Sequence, residues 1–283
     1  MSPGPPISRR GFLRTGILSG SLALAGCLDE SDPVFQEISF EESHLVVRLH
    51  DEHAVEQLNL IAPDGSIFSQ SAVATGATTV RIEMLDLREG LSSYDHYTPG
   101  EYEVVAILPE RTVTRELALR PELHVVDVQQ RSDAISRSEF AQLEVTIENV
   151  GTASTWVYEF AYRGLPNSRM DGELSFNPGI PFLNKPTLSE GVILGPGETQ
   201  TYVGSGLPLL FNVEGGEICQ GNIDATLIIG VASGEPIEEQ IQLTFNGEFL
   251  LDSHLDMYTC SDISATRLAG DTQDAHTELG GHL

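Results

Sequence analysis

Apolar residues recur at every second position of this chain in short runs, and turns rich in glycine and proline cut each run before it reaches helical length. Leu45, Val47 and Leu49 alternate with Val46, Arg48 and His50, which sets the first group on one face of a strand and most of the second outside. Leu58-Asn59-Leu60-Ile61 is followed by Pro63-Asp64-Gly65, where proline presets φ and glycine accepts a positive φ, so a turn is expected. Pro99-Gly100 opens a run with Tyr102, Val104 and Ala106 on one face, and Thr112 to Leu119 returns beside it. Further on, Leu143, Val145 and Ile147 alternate with Glu144, Thr146 and Glu148, which reads as a half-buried strand with a solvated acidic face. Asn149-Val150-Gly151-Thr152-Ala153 then turns the chain towards Trp156-Val157-Tyr158-Glu159-Phe160. A turn at Gly195-Pro196-Gly197-Glu198-Thr199 precedes strands expected near residues 200–203, 225–231 and 239–245. Met84 to Leu91 is the one stretch expected to form a helical turn. The pattern predicts an all-β chain of two tandem antiparallel β-sandwiches, residues 34–120 and 121–262, divided at Pro121.

The N-terminus has a different logic. Arg9, Arg10 and Arg14 precede an apolar run from Thr15 to Gly26, with no acidic residue before Asp29. A cationic start, a short apolar segment and a small-residue cleavage site are the three parts of an export signal. The run is too short to span a membrane, which takes about 20 apolar residues. Arg9-Arg10 with Phe12-Leu13 resembles the twin-arginine export motif, and Leu24-Ala25-Gly26-Cys27 resembles the lipobox of bacterial and archaeal lipoproteins. The resemblance implies a cleaved signal over residues 1–26 and lipid on Cys27, with residues 27–33 as a short tether. It places the protein at the cell membrane, lipid-anchored on the extracellular face, with membrane lipid as a partner. The alternative is a plain cleaved signal in which Cys27 is incidental.

Charge narrows the setting. The chain has 42 acidic and 15 basic residues, a net charge of −27. Loss of residues 1–26 would remove three arginines and no acid, taking that charge to −30. Lys185 is the single lysine. Acidity spread along the whole chain resembles the secreted proteins of extreme halophiles, which stay dispersed where salt shortens the screening length to a few ångströms. An acidic protein that binds cations or basic partners is the other reading. Both argue against nucleic acid, because no lysine or arginine patch exists to neutralise phosphates.

Leu143-Glu-Val-Thr-Ile-Glu-Asn-Val-Gly-Thr-Ala153, with Leu194-Gly-Pro-Gly-Glu-Thr199 about 40 residues later, resembles the pattern of CARDB-type and related immunoglobulin-like modules of prokaryotic surfaces. It covers roughly residues 123–245 and implies an immunoglobulin-like sandwich, while such modules serve adhesion, spacing and binding alike. The chain departs from the pattern in a Gly/Pro-containing insertion at residues 163–190. Loops at sandwich ends are where function tends to reside.

With Cys27 lipidated, Cys219 and Cys260 remain, and two thiols in an oxidising compartment are expected to pair. A thiolate metal site is the rival, without close Cys/His spacing to support it. Residues 263–283 are polar and glycine-rich and read as a disordered tail.

Catalytic constellations are weak. His50-Asp51-Glu52-His53 has metal-ligating residue types at a spacing better suited to a helix than to a strand end. Ser92-Ser93-Tyr94-Asp95-His96 contains triad residue types, yet sequence neighbours seldom converge on one centre. Asp252, Asp256 and Asp262 are acidic enough for calcium. Trp156, the only tryptophan, is expected in a core. No catalytic residue, metal or cofactor is assigned. The sequence reads as a non-enzymatic binding or structural surface lipoprotein whose partner is a protein or envelope component; the alternative is an accessory subunit of a membrane transporter or exported enzyme complex.

Overall fold

In the computed structural model, residues 34–52, 54–87, 95–167, 172–174, 181–187, 191–212 and 218–268 are described. The chain is all-β, and its strands pair in antiparallel fashion. The N-terminal half places β1 (Phe35–Glu41), β2 (His44–Leu49) and β5 (Thr79–Glu83) in one sheet, order β1-β2-β5. Its second sheet holds β3 (Gln57–Ile61), β4 (Ile67–Ala72), β6 (Gly100–Ile107) and β7 (Thr112–Leu119), order β4-β3-β6-β7. Leu45, Val47 and Leu49 from the first sheet and Leu58, Leu60, Tyr102, Val104 and Ala106 from the second meet in one buried core, so the alternation maps onto the pleat. Val46 points to the other face and is buried too, in the middle strand with Ser39 and Arg81 as cross-strand neighbours. The β1–β2 ladder runs from Phe35 opposite Leu49 to Glu41 opposite His44. Arg115 of β7 lies 5.5 Å over the Phe35 ring, a cation–π contact across that flank.

The expected turn at Pro63-Asp64-Gly65 joins β3 to β4. Gly65 has φ 82°, and the Asp64 carboxylate accepts hydrogen bonds from the Ser66 amide and hydroxyl. Those bonds hold the Asp64 carboxyl below its ordinary range.

The C-terminal half pairs β8 (Leu123–Gln130), β9 (Leu143–Asn149), β11 (Leu183–Lys185) and β13 (Thr199–Gly204) in the order β11-β13-β9-β8. Facing it are β10 (Thr155–Arg163), β12 (Ile193–Leu194), β14 (Asn222–Val231), β15 (Ile237–Asp252) and β16 (Met257–Arg267), order β12-β10-β14-β15-β16. Leu143, Val145 and Ile147 pack against Leu227, Ile229, Ile241 and Leu243 in a second core.

Three expectations are corrected. Glu144 is buried, not solvated, because Gln129 Nε2 and Ser132 Oγ donate to its carboxylate. The last strand continues to Arg267 through pairs such as Ile241 with Arg267, so a tail cannot begin at residue 263. Met84 to Leu87 are not helical: Asp86 bridges to Asp95, while residues 88–94 lie outside the described set. The described residues of the 163–190 insertion pack back onto the sheets. Its Gly172 lies against Arg163 and Ile228 on the face of the β10–β14 pair that points away from the second core, Leu174 packs against the first core, and the Phe182 amide donates to the Tyr158 carbonyl.

Candidate functional site

The residues of the Asn-Val-Gly-Thr-Ala turn and the Leu-Gly-Pro-Gly-Glu-Thr turn come together, and what they build is a joint between the two sandwiches. Asn149 ends β9 fully buried and uses its whole amide. Its Nδ2 donates to the carbonyls of Ala153 and Leu194, at 2.9 and 3.0 Å, and its Oδ1 accepts from the amides of Glu122 and Gly151, at 3.2 and 3.0 Å. One side chain thus meets two backbone donors and two backbone acceptors, so all four of its own hydrogen-bonding positions are used, which is the condition for burying an amide at all. From the other turn, the Glu198 carboxylate takes the Gly195 amide at 2.7 Å, and the Gly197 amide donates to the Asn149 carbonyl.

Gly151 is required by close approach. A Cβ there would lie 2.3 Å from the Arg120 carbonyl oxygen and 2.4 Å from the Glu122 amide nitrogen. Thr152 completes the clamp: its hydroxyl donates to Ala118 O at 2.6 Å and accepts from the Arg120 amide at 3.0 Å. The linker around Pro121 is therefore stitched to the second sandwich on both sides.

Packing closes the same joint. Apart from Arg163, every residue of β10 is buried. Val157, Phe160 and Tyr162 face the second core, whereas Trp156 and Tyr158 belong to the first, alongside Ala153, Val192 and Ala232. A register shift between Val157 and Glu159 re-aims the strand. Trp156 is a core residue as expected, but the core it fills is shared with the N-terminal sandwich. Tyr97 reaches across from that sandwich and donates its phenol to Ser154 O at 2.8 Å; burial pushes the Tyr97 phenol far above its ordinary range. The His96 ring stands edge-on to Trp156, centroids 6.1 Å apart.

The far end of the second sandwich is held differently. Cys219, in a short turn at Ile218–Gln220, is disulfide-bonded to Cys260 of β16 with Cα atoms 5.6 Å apart. Both cysteines are buried. Beyond Thr244, which pairs with Asn222, β15 has lost its β14 partner and continues with β16 alone to Asp252 opposite Met257. The disulfide fastens that overhang to the turn at Ile218–Gln220, with a bridge between Phe211 and Tyr258 beside it. Gln130 closes the seam between the edge strands β8 and β16: Nε2 donates to the carbonyls of Phe140 and Cys260, and Oε1 accepts from the Ile263 amide. Arg137 donates to Leu251 O, tying the β8–β9 loop to the overhang. In that loop Asp133 is engaged first by Lys185 and then by Arg131, which lowers its carboxyl to about 2.

The remaining sequence candidates are not brought together among the described residues. Arg9, Arg10, Phe12, Leu13 and Cys27 lie outside the described residues, as do His53 and Ser92 to Tyr94. His50, Asp51 and Glu52 are exposed. Asp252 is buried and accepts the amides of His254 and Leu255 in the β15–β16 turn, whereas Asp262 lies opposite Asn246 within the ladder. Among the described residues, no three His, Cys, Asp or Glu side chains are grouped to hold a metal ion, and no helix is long and apolar enough to cross a membrane. One open cleft, lined by Phe68, Met84 and His96 with Glu83, Asp86 and Asp95, flanks the first sandwich; another lies between β8 and the ends of β15 and β16. Among the described residues, neither brings a nucleophile to a general base. No known protein family matches the chain, and no curated protein or solved structure is significantly similar to it.

Proposed function

We propose that the chain is a lipid-anchored protein of the outer cell surface, exported by the twin-arginine route and attached through Cys27, whose immunoglobulin-like, CARDB-type sandwiches act as a non-catalytic binding or structural module. The observation that carries the reading is the Cys219–Cys260 disulfide. A stable disulfide belongs to an oxidising compartment, and the third cysteine stands alone in Leu24-Ala25-Gly26-Cys27, behind paired arginines.

The strand registers support an outward-facing arrangement. Val34 leaves the first sandwich where β1 begins, whereas the joint gathers at its opposite end, where Gly100 pairs with Leu119 just before the linker. In the second sandwich β8 and β9 meet the joint at Leu123 and Asn149, so the stapled overhang is at the end away from it. An anchor seven residues before Val34 would hold the molecule by one end and offer the other outward. Two acyl chains would be needed for stable attachment. A mature net charge near −30 suits a salty medium, where screening limits self-repulsion.

The test is Cys27→Ser with fractionation and mass spectrometry of the mature N-terminus. Wild type is expected in the membrane fraction with a lipid-modified cysteine, and the variant in the medium. Equal partitioning of the two would refute the anchor.

A further inference from the structure

We infer that β4 is a self-association strand, through which two copies of this chain pair edge to edge in antiparallel fashion. A sheet edge offers backbone N–H and C=O groups to any strand that can lie beside it, and proteins guard such edges with charged side chains, bulges or very short strands. Among the described residues, a charged side chain or extreme shortness guards every edge but one. Strand β1 carries Glu37 and Glu41, β5 carries Arg81 and Glu83, and β7 carries Arg115 and Glu116. In the second sandwich β8 has Asp127 and a bulge, β11 has Lys185, β16 has Asp262 and Arg267, and β12 is only 2 residues long.

Strand β4 reads Ile-Phe-Ser-Gln-Ser-Ala, with no charge and no proline; its ladder with β3 is regular from Ser69 to Ala72 and shifts at Phe68. It lies within a 16-residue stretch, Gly65 to Val80, that contains no charged residue or histidine, in a chain with 42 acidic residues. Among the described residues it is the outer strand of its sheet and pairs with β3 alone. Ile67 and Phe68 stand 60 % and 37 % exposed on it, where an apolar contact would be gained on pairing.

The occupant follows from charge. Two copies of so acidic a chain repel over most of their surface, and only a neutral edge lets their backbones approach without opposing carboxylates. An antiparallel pair of identical strands is self-complementary about a two-fold axis. It would join two four-stranded sheets into one continuous sheet of β7-β6-β3-β4 and its symmetry mate. The inference does not depend on the lipid anchor.

The experiment is sedimentation of the full mature chain in molar salt, as the lipidated protein in detergent and as Cys27→Ser without it, with hydrogen exchange across a dilution series. The expected result is a dimer whose residue 67–72 amides are protected at high concentration and exchange faster on dilution. Ile67→Glu with Gln70→Glu places like charges at the two-fold and should weaken dimerisation roughly tenfold or more, with the circular dichroism of the wild type. Thr114→Glu on β7 should leave the dimer intact. A monomer at every concentration would overturn the inference. So would a dimer indifferent to the β4 charges, or protection of residues 67–72 that appears only with a different protein.

Discussion

The joint and the stapled far end are both places where the chain holds together without a continuous sheet, and the means are opposite. At the joint, three buried aromatics and one fully bonded asparagine hold the two sandwiches without a disulfide. At the far end a two-stranded overhang, too narrow to keep itself folded, is fastened by Cys219–Cys260 and by single side chains that stand in for missing ladder bonds. The difference teaches where each strategy works. Packing suffices where two sheets can share a core, whereas an overhang with sheet on one side needs a tie that does not depend on buried area.

The largest expected effect is at the joint. Trp156→Ala should cost about 3–5 kcal/mol, the usual range for removing a buried aromatic, and it should lower the stability of both sandwiches together. Denaturant unfolding followed by circular dichroism, with hydrogen exchange to resolve the halves, checks this. If the N-terminal sandwich keeps its wild-type midpoint, the shared core is not a shared energy. The same coupling sets what dilution of salt should do: wild-type tryptophan fluorescence and circular dichroism should fall in one transition, because Trp156 stands on a strand of the second sandwich and fills the core of the first.

Removing the disulfide comes next. Cys219→Ser with Cys260→Ser releases a loop closed over a sequence separation of 41 residues, worth about 3–4 kcal/mol in the chain-entropy account. Faster amide exchange should be concentrated in residues 207–221 and 246–262. Equal acceleration at Asn149 and Trp156 would show that the two ends are not separable.

The smallest effect concerns Asp133. Its carboxyl titrates at about 2 in the folded chain against an ordinary 3.8, because Lys185 and Arg131 favour its charged form. A depressed folded value contributes stability that is complete above about pH 4 and is lost as pH falls towards 2. The pair is half exposed, so solvent and salt screen it. Asp133→Asn should therefore flatten the acid limb of the stability curve only slightly, and leave the joint's exchange rates unchanged.

Much of this was legible because alternation is a direct print of the pleat. The runs at Leu45, Tyr102 and Leu143 carry it, and the two cysteines left once Cys27 is set aside are paired as expected. What was hidden is which partner each face meets. Trp156-Val157-Tyr158-Glu159-Phe160 shows no alternation because β10 is buried on both sides, but nothing in the run says that Trp156 turns to the other sandwich. Asn149 and Leu194 lie 45 residues apart, and their hydrogen bond is visible only once the turns meet. The overhang was missed because Asn246-Gly247 reads as the end of a strand; in the structure the ladder is interrupted there and resumes with Phe249 opposite Cys260. Gln130 gave no signal at all, since a glutamine at the end of a strand is ordinarily a solvated side chain.

The β1–β2 register has a mechanical consequence. The chain enters β1 at Phe35, at the end of the ladder farthest from the joint, and runs from there towards it. Tension applied through the N-terminal segment, with the rest of the molecule held at its opposite end, is directed along β1. The hydrogen bonds to β2 lie across that direction. They are loaded side by side, in shear, and must yield as a group, whereas a strand entering from the other end would peel open one rung at a time. A protein tethered by this terminus would resist drag with its whole first ladder.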